Sequence, residues 1–260
     1  MTLKSTGTFA GISCSLFVRL LPFIEQQSVF GLADLNLSVT MQPALNAQQV
    51  PLFICPSDLN IRLSTDTPAA YPATYGAGWG DWFGFEFTTA KFGNGAFPET
   101  SYPSQRGIRQ SEITDGTSYT VGLADVKAFT TYLVRPNSPS ANPPATPAAL
   151  LALGGTANVA GGHASWANGL AFQTGLSFVF PPNTEVPYTN PADGTTYDVD
   201  WVGGTVYSCG AVTARSYHSG GVNAAFMDGS VRFITNSIPQ ATWRALGTRN
   251  GGETVDVTQY

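Results

Sequence analysis

Asp228-Gly229, set between two alternating apolar runs, constrains this chain more than any other pair of residues. Gly221 to Phe226 leads into it, and Val231, Arg232 and Phe233 follow with sides alternating. Such a pair favours a two-residue type I′ turn, whose central positions both need positive φ. The run reads as a buried β-hairpin, reached through Ser219-Gly220-Gly221 just after His218.

A hairpin needs a sheet to join, and 260 residues are enough to bury a sizeable core. Charged residues are 11%, against about 25% in ordinary globular domains, and 28 Gly with 18 Pro imply many turns and short strands. A net charge of −5 argues against a nucleic-acid surface, which needs clustered Lys and Arg. No P-loop, dinucleotide-binding glycine fingerprint or H-E-x-x-H is present, and Ser219 lacks a G-x-S-x-G elbow. No run reaches the 18 or more apolar residues of a membrane-spanning helix, and no secretion signal stands at the N-terminus. The expectation is a non-enzymatic chain, with a glycan- or solute-binding module as the alternative and a hydrolase, resting on two histidines and an acidic cluster, as a remote one.

His218, nine intervening residues and Asp228-Gly229 resemble the H-x9-DG signature of a large planctomycete family of pilin-like proteins. That family is known as domain of unknown function 1559 and is also labelled solute-binding family 10. Further segments agree in order: LLPFIEQQSVF (Leu20 to Phe30), FICPSD (Phe53 to Asp58), ITDGTSYTVGLAD (Ile113 to Asp125), GHASWANG (Gly162 to Gly169), TGLSFVFPPNT (Thr174 to Thr184) and WRALGTRNGGE (Trp243 to Glu253). The resemblance implies an α+β, mainly antiparallel head of the pilin or pseudopilin kind, extracellular or at the cell surface, which packs against copies of itself or related subunits. Family members usually carry a leader and a long hydrophobic helix before the LLP segment, and the expectation here is a head without that helix. One domain over residues 1–260 is expected, with a Pro-rich insertion at about 134–149.

Three sets of residues carry possible chemistry. Tyr75, Trp79 and Trp82 lie in an aromatic-Gly run, YPATYGAGWGDWFG, whose flat rings can stack on a glycan. A loop packed on the core or on a neighbouring subunit is the favoured alternative. Asp193, Asp198 and Asp200 are three carboxylates in eight residues, two of them on one face of a strand. They are the candidate ligands of a structural calcium, although the spacing is not that of an EF-hand. Pseudopilins can hold a calcium, but the resemblance assigns no ligand here. The two histidines, His163 and His218, are read as fixing loop backbone rather than as ligands. His218 and Asp228 do not make a dyad, because the strand between them sets them roughly 20 Å apart at about 3.3 Å per residue. With Gly229, these family-motif residues are read as structural.

The three cysteines, Cys14, Cys55 and Cys209, show no zinc-type spacing. A Cys14–Cys55 bridge in an oxidising compartment and three small buried thiols both remain open, the second favoured. Local signals also predict a helix over about Pro22 to Leu32, strands over Val50 to Cys55, Tyr119 to Leu123, Gly175 to Phe180 and Thr254 to Val257, and a short helix from Thr242 ended by Gly247. Asp115 is expected to close its own turn by accepting backbone N–H bonds.

Overall fold

The computed structural model describes residues 14–86, 91–98, 107–135, 142–203 and 209–255. In chain order its strands are β1 (Tyr75–Gly78), β2 (Phe85–Glu86), β3 (Lys91–Phe92), β4 (Val121–Asp125), β5 (Thr130–Arg135), β6 (Thr156–Gly162), β7 (Gly175–Leu176), β8 (Pro187–Thr189), β9 (Thr196–Gly203), β10 (Cys209–Ala211), β11 (Gly221–Phe226) and β12 (Val231–Thr235). Five form a sheet in the order β12-β11-β4-β1-β7, and β10-β9-β5-β6 form a second, with β8 also paired to β9. Among the described residues every pairing is antiparallel except β1 with β7 and β5 with β9. With several short helices, the architecture is α+β and mainly antiparallel. No described helix is long and apolar enough to cross a membrane.

The expected hairpin forms over the predicted residues, from Gly221↔Thr235 to Ala225↔Val231. Its turn differs. Gly229 N donates to the Phe226 carbonyl at 2.9 Å and Phe226 N to the Ser230 carbonyl at 2.8 Å. Gly229 has φ +86°, whereas Asp228 is absent from the positive-φ residues. The loop is therefore the three residues Met227 to Gly229, a type I turn closed by a left-handed glycine. The Asp228 carboxylate takes the Ser230 N–H at 2.9 Å and hydroxyl at 2.7 Å, which satisfies the turn without a left-handed aspartate.

Other local predictions shift for reasons the neighbours supply. In place of one helix over Pro22 to Leu32 stand a 3₁₀ turn, Leu21–Phe23, and the helix Gln27–Phe30, preceded by a short helix, Leu16–Leu20. Val50 to Cys55 holds the 3₁₀ turn Pro51–Phe53 instead of a strand, because Pro51 offers no N–H to a ladder. Of Gly175 to Phe180 only Gly175–Leu176 pairs with β1; Ser177 N then turns to the Val212 carbonyl and Phe178 N to that of Gly80. In the Pro-rich run, 136–141 lies outside the described residues, and Pro147 heads a short helix, Pro147–Leu151, capped by the Thr146 hydroxyl. Asp115 accepts its N–H bonds from Gly251 at 2.7 Å and Gly252 at 2.9 Å, so it clasps the C-terminal segment rather than its own turn. Residues 254–255 form no strand, and Val257 lies outside the described residues.

The first sheet packs Val121, Ala124, Val222 and Ala224 against Phe178, Trp243 and Leu246, with the helix Gln240–Leu246 as lid. Phe178 and Trp243 meet at 4.7 Å, a tilted aromatic pair. A separate layer joins Phe17, Phe53 and Trp166, and the second sheet is filled by Trp82, Leu133, Val199 and Trp201. Gly247 ends the last helix as the sequence predicts, but with φ −84° its role is not a left-handed cap. A Cβ there would stand 2.1 Å from Phe178 Cγ, so the glycine lets the helix end touch the ring. Gly247→Ala should therefore cost about 1–3 kcal/mol by overpacking, read as a lower thermal midpoint. Gly107→Ala, whose Cβ meets nothing within 4 Å, should stay within about 0.5 kcal/mol of wild type.

Candidate functional site

Three family-like segments meet at one end of the first sheet. Asp125 closes β4, beside Tyr75 on β1, and its Oδ2 accepts the Asn223 N–H of β11 at 2.7 Å and the Asn223 amide at 3.2 Å. Cys55 follows the Pro51–Phe53 turn and is held by its N–H donating to the Thr74 hydroxyl. His218 is set by the loop before β11: the Ser216 hydroxyl donates to the Gly221 carbonyl at 2.6 Å and accepts the His218 N–H at 3.1 Å. The result places His218 Nε2 at 3.5 Å from Cys55 Sγ and 3.6 Å from Asp125 Oδ2. One ligand atom from each of the three residues lies within 4.8 Å of the others. Among the described residues no other group of three such donors comes together.

The surroundings are polar but committed. A small cleft beside the cluster is lined by Cys55, Asp58, Asp125, Arg215, Ser216 and Tyr217. Asp58 spends one oxygen on the Asn60 N–H and the other on that of Ala128, both at 2.9 Å. Asp125 is 2% exposed, and its Oδ1 is buried with no hydrogen-bond partner among the described residues. Burial raises its carboxyl pKa, against the lowering effect of the Asn223 N–H and of His218. All three cysteines are free thiols. Linear spacing missed this cluster because 163 residues separate Cys55 from His218. The shared membership of FICPSD, GLAD and the H-x9-DG signature was the available signal.

Of the predicted ligand-stacking residues, only Tyr75 reaches this place; its hydroxyl pKa is raised by burial, then by Cys55 and Asp125. Trp79 and Trp82 are buried, at 4% and 1% exposure, and offer no face to a glycan. Trp82 stacks on Trp201 at 5.7 Å, and Gly84 lies so close to Trp79 that a Cβ would overlap the indole. The packed-loop alternative describes these two indoles.

The three acidic residues do not gather around a common centre. Asp193 accepts the Thr195 N–H at 2.8 Å and the Tyr197 hydroxyl at 2.9 Å within its own turn. Asp198 and Asp200 do share a strand face, and Arg215 occupies it. Its Nε and Nη2 form a fork on Asp198 at 2.8 and 3.0 Å, while Nη1 contacts Asp200. Burial opposes the Arg215 charge, but Asp200 and then Asp198 outweigh it and raise its pKa. A cation already fills the place proposed for calcium. Asp228 stays in its turn, where Ser230 presses its pKa down to about 2.

His163 is fully buried at φ +48°, with Nδ1 3.1 Å from the Gln173 carbonyl, to which it donates. Its Nε2 has no partner. The ring is thus tied to the backbone of the segment at Gln173.

An α+β fold of two mainly antiparallel sheets, with a Cys/Asp/His cluster at the end of one, is the class these features define. The chain belongs to the family described as Protein of unknown function (DUF1559), which it matches over residues 2–241. No curated protein and no solved structure matches it.

Burial lowers the pKa of His163, while Asp200, the Gln173 carbonyl and Asp58 work the other way and Arg215 adds to the lowering. With a folded pKa below the unfolded value near about 6.5, the unfolded chain binds the extra proton. This contribution is complete above about 6.5 and is lost as pH falls below it. Asp125, with its raised pKa, contributes with the opposite sign at lower pH. Denaturant midpoints taken from pH 7 to pH 5 should fall in wild type and fall less in His163→Asn, whose amide keeps the Nδ1 donor. Equal slopes would remove His163 from the account.

Proposed function

We propose that this chain is the β-rich head of a non-enzymatic extracellular or cell-surface protein that assembles with copies of itself or with related pilin-like subunits. The observation that carries this reading is the placing of exposed apolar side chains. Phe23, Met41, Leu52 and Leu59 are 72%, 67%, 61% and 94% exposed, all on the N-terminal side of the chain. Single exposed leucines are ordinary; four such side chains in one stretch of a chain with 11% charged residues support the reading that a partner covers them. Strand β12 adds a second place, because among the described residues it ends its sheet, with Val231 and Phe233 exposed. An unpaired edge with apolar side chains is a template for another strand.

A glycan- or solute-binding module is the weaker reading. The two indoles that would form its platform are in the core, and Tyr75 with the small cleft beside Cys55 is what supports this reading.

Light scattering on a size-exclusion column tests the assembly reading. Wild type should elute above its monomer mass of 27.4 kDa and grow with concentration. Leu59→Glu with Met41→Glu, and separately Phe233→Lys, should reduce that mass while leaving circular dichroism unchanged. A wild-type monomer at every concentration would overturn it.

A further inference from the structure

We propose that Cys55, Asp125 and His218 form a binding site for a zinc-type divalent metal ion, with one coordination position open to solvent. This goes beyond the assembly reading and does not depend on it.

The donor set argues first. A thiolate, an imidazole and a carboxylate select zinc over calcium or magnesium, which take all-oxygen shells. Distances agree. With Zn–S near about 2.3 Å and Zn–N near about 2.0 Å, a tetrahedral angle sets sulfur and nitrogen about 3.5 Å apart. Cys55 Sγ and His218 Nε2 stand at 3.5 Å. Nε2 and Asp125 Oδ2 stand at 3.6 Å, a few tenths beyond the corresponding N···O edge.

The manner of convergence argues second. In a Cys-His-Asp relay the thiol and the carboxylate address different ring nitrogens, because the acid orients the base from behind. Here both address Nε2. Three donors pointing at a common space suit an ion between them, and a proton relay is not built this way.

Asp125 supplies an independent observation. It is 2% exposed, yet Oδ1 has no hydrogen-bond partner among the described residues. Buried carboxylate oxygens are ordinarily satisfied, and an orphan calls for an explanation. A cation held through both oxygens of the carboxylate gives one, Oδ2 being the oxygen that stands by His218 Nε2. The neighbouring charges leave the space available: Arg215 is neutralised by Asp198 and Asp200, and Asp58 is held by two backbone N–H groups. The His218 side chain is 26% exposed, so the fourth position faces water. Three protein ligands with an open position describe a site that can hold a water or a small anionic solute on the metal.

Cobalt(II) titration of the full-length chain, prepared reduced and metal-free, is the test. One equivalent should produce the intense near-ultraviolet thiolate-to-cobalt band and the visible bands of tetrahedral cobalt, both abolished by added zinc. A Cys14→Ser, Cys209→Ser variant should keep the spectrum, Cys55→Ser should lose the thiolate band, and His218→Gln should bind at least tenfold more weakly. In wild type, where no variant has to fold, zinc should slow alkylation of Cys55, mapped by mass spectrometry. The absence of a thiolate band would overturn the proposal. So would a band that survives Cys55→Ser, unaltered affinity in His218→Gln, or Cys55 alkylation indifferent to zinc.

Discussion

The interaction on which this structure depends is the buried ion pairing of Arg215. Its side chain reaches β9 of the second sheet, forking onto Asp198, touching Asp200 and donating to the Val199 carbonyl at 3.3 Å. Its own backbone N–H binds the Asp125 carbonyl of the first sheet at 3.0 Å. One residue therefore ties the ends of both sheets. Removing one partner of such a group strands a charge, at about 3–5 kcal/mol, although a well-packed apolar replacement of the whole network can be neutral. The arrangement thus fixes geometry more than it adds stability. Here it fixes the path of residues 212–218, and that path delivers His218 to Asp125 and Cys55.

Legibility in the sequence followed range. The hairpin, the last helix and its Gly247 stop were readable because each is encoded within a few neighbouring residues. The turn type was not, since Ser230 satisfies Asp228 outside the two-residue pattern. Val50 to Cys55 had the composition of a strand, but Pro51 cannot join a ladder. Trp79 and Trp82 were visible as aromatics in a glycine-rich run; that the glycines serve close packing around the indoles depends on contacts the run does not encode. Asp198 and Asp200 were correctly placed on one face, while their partner Arg215 lies 17 and 15 residues on. The Cys55–His218 pair is longer-range still. The likeness to a family quoted all the segments involved, but a likeness in chain order says nothing about which of them touch.

Two surfaces with different chemistry follow. The exposed apolar side chains of the N-terminal stretch and of β12 suit a protein partner, whereas the Cys55, Asp125 and His218 donors suit a small cation. They sit on different supports: the first on short turns and a sheet edge, the second on the end of a sheet held by Arg215. Assembly and metal binding are accordingly separate proposals, and each can fail without the other.

The central claim is that Arg215 and Asp200 act as one buried unit joining the sheets. A double-mutant cycle with Arg215→Met and Asp200→Asn, followed by chemical unfolding, measures it most directly. The account predicts that either single change costs several times more than the second change made on top of it, with a coupling on the order of 3 kcal/mol. Additive effects within about 0.5 kcal/mol would contradict it, and would place the meeting of the two sheets on apolar packing alone.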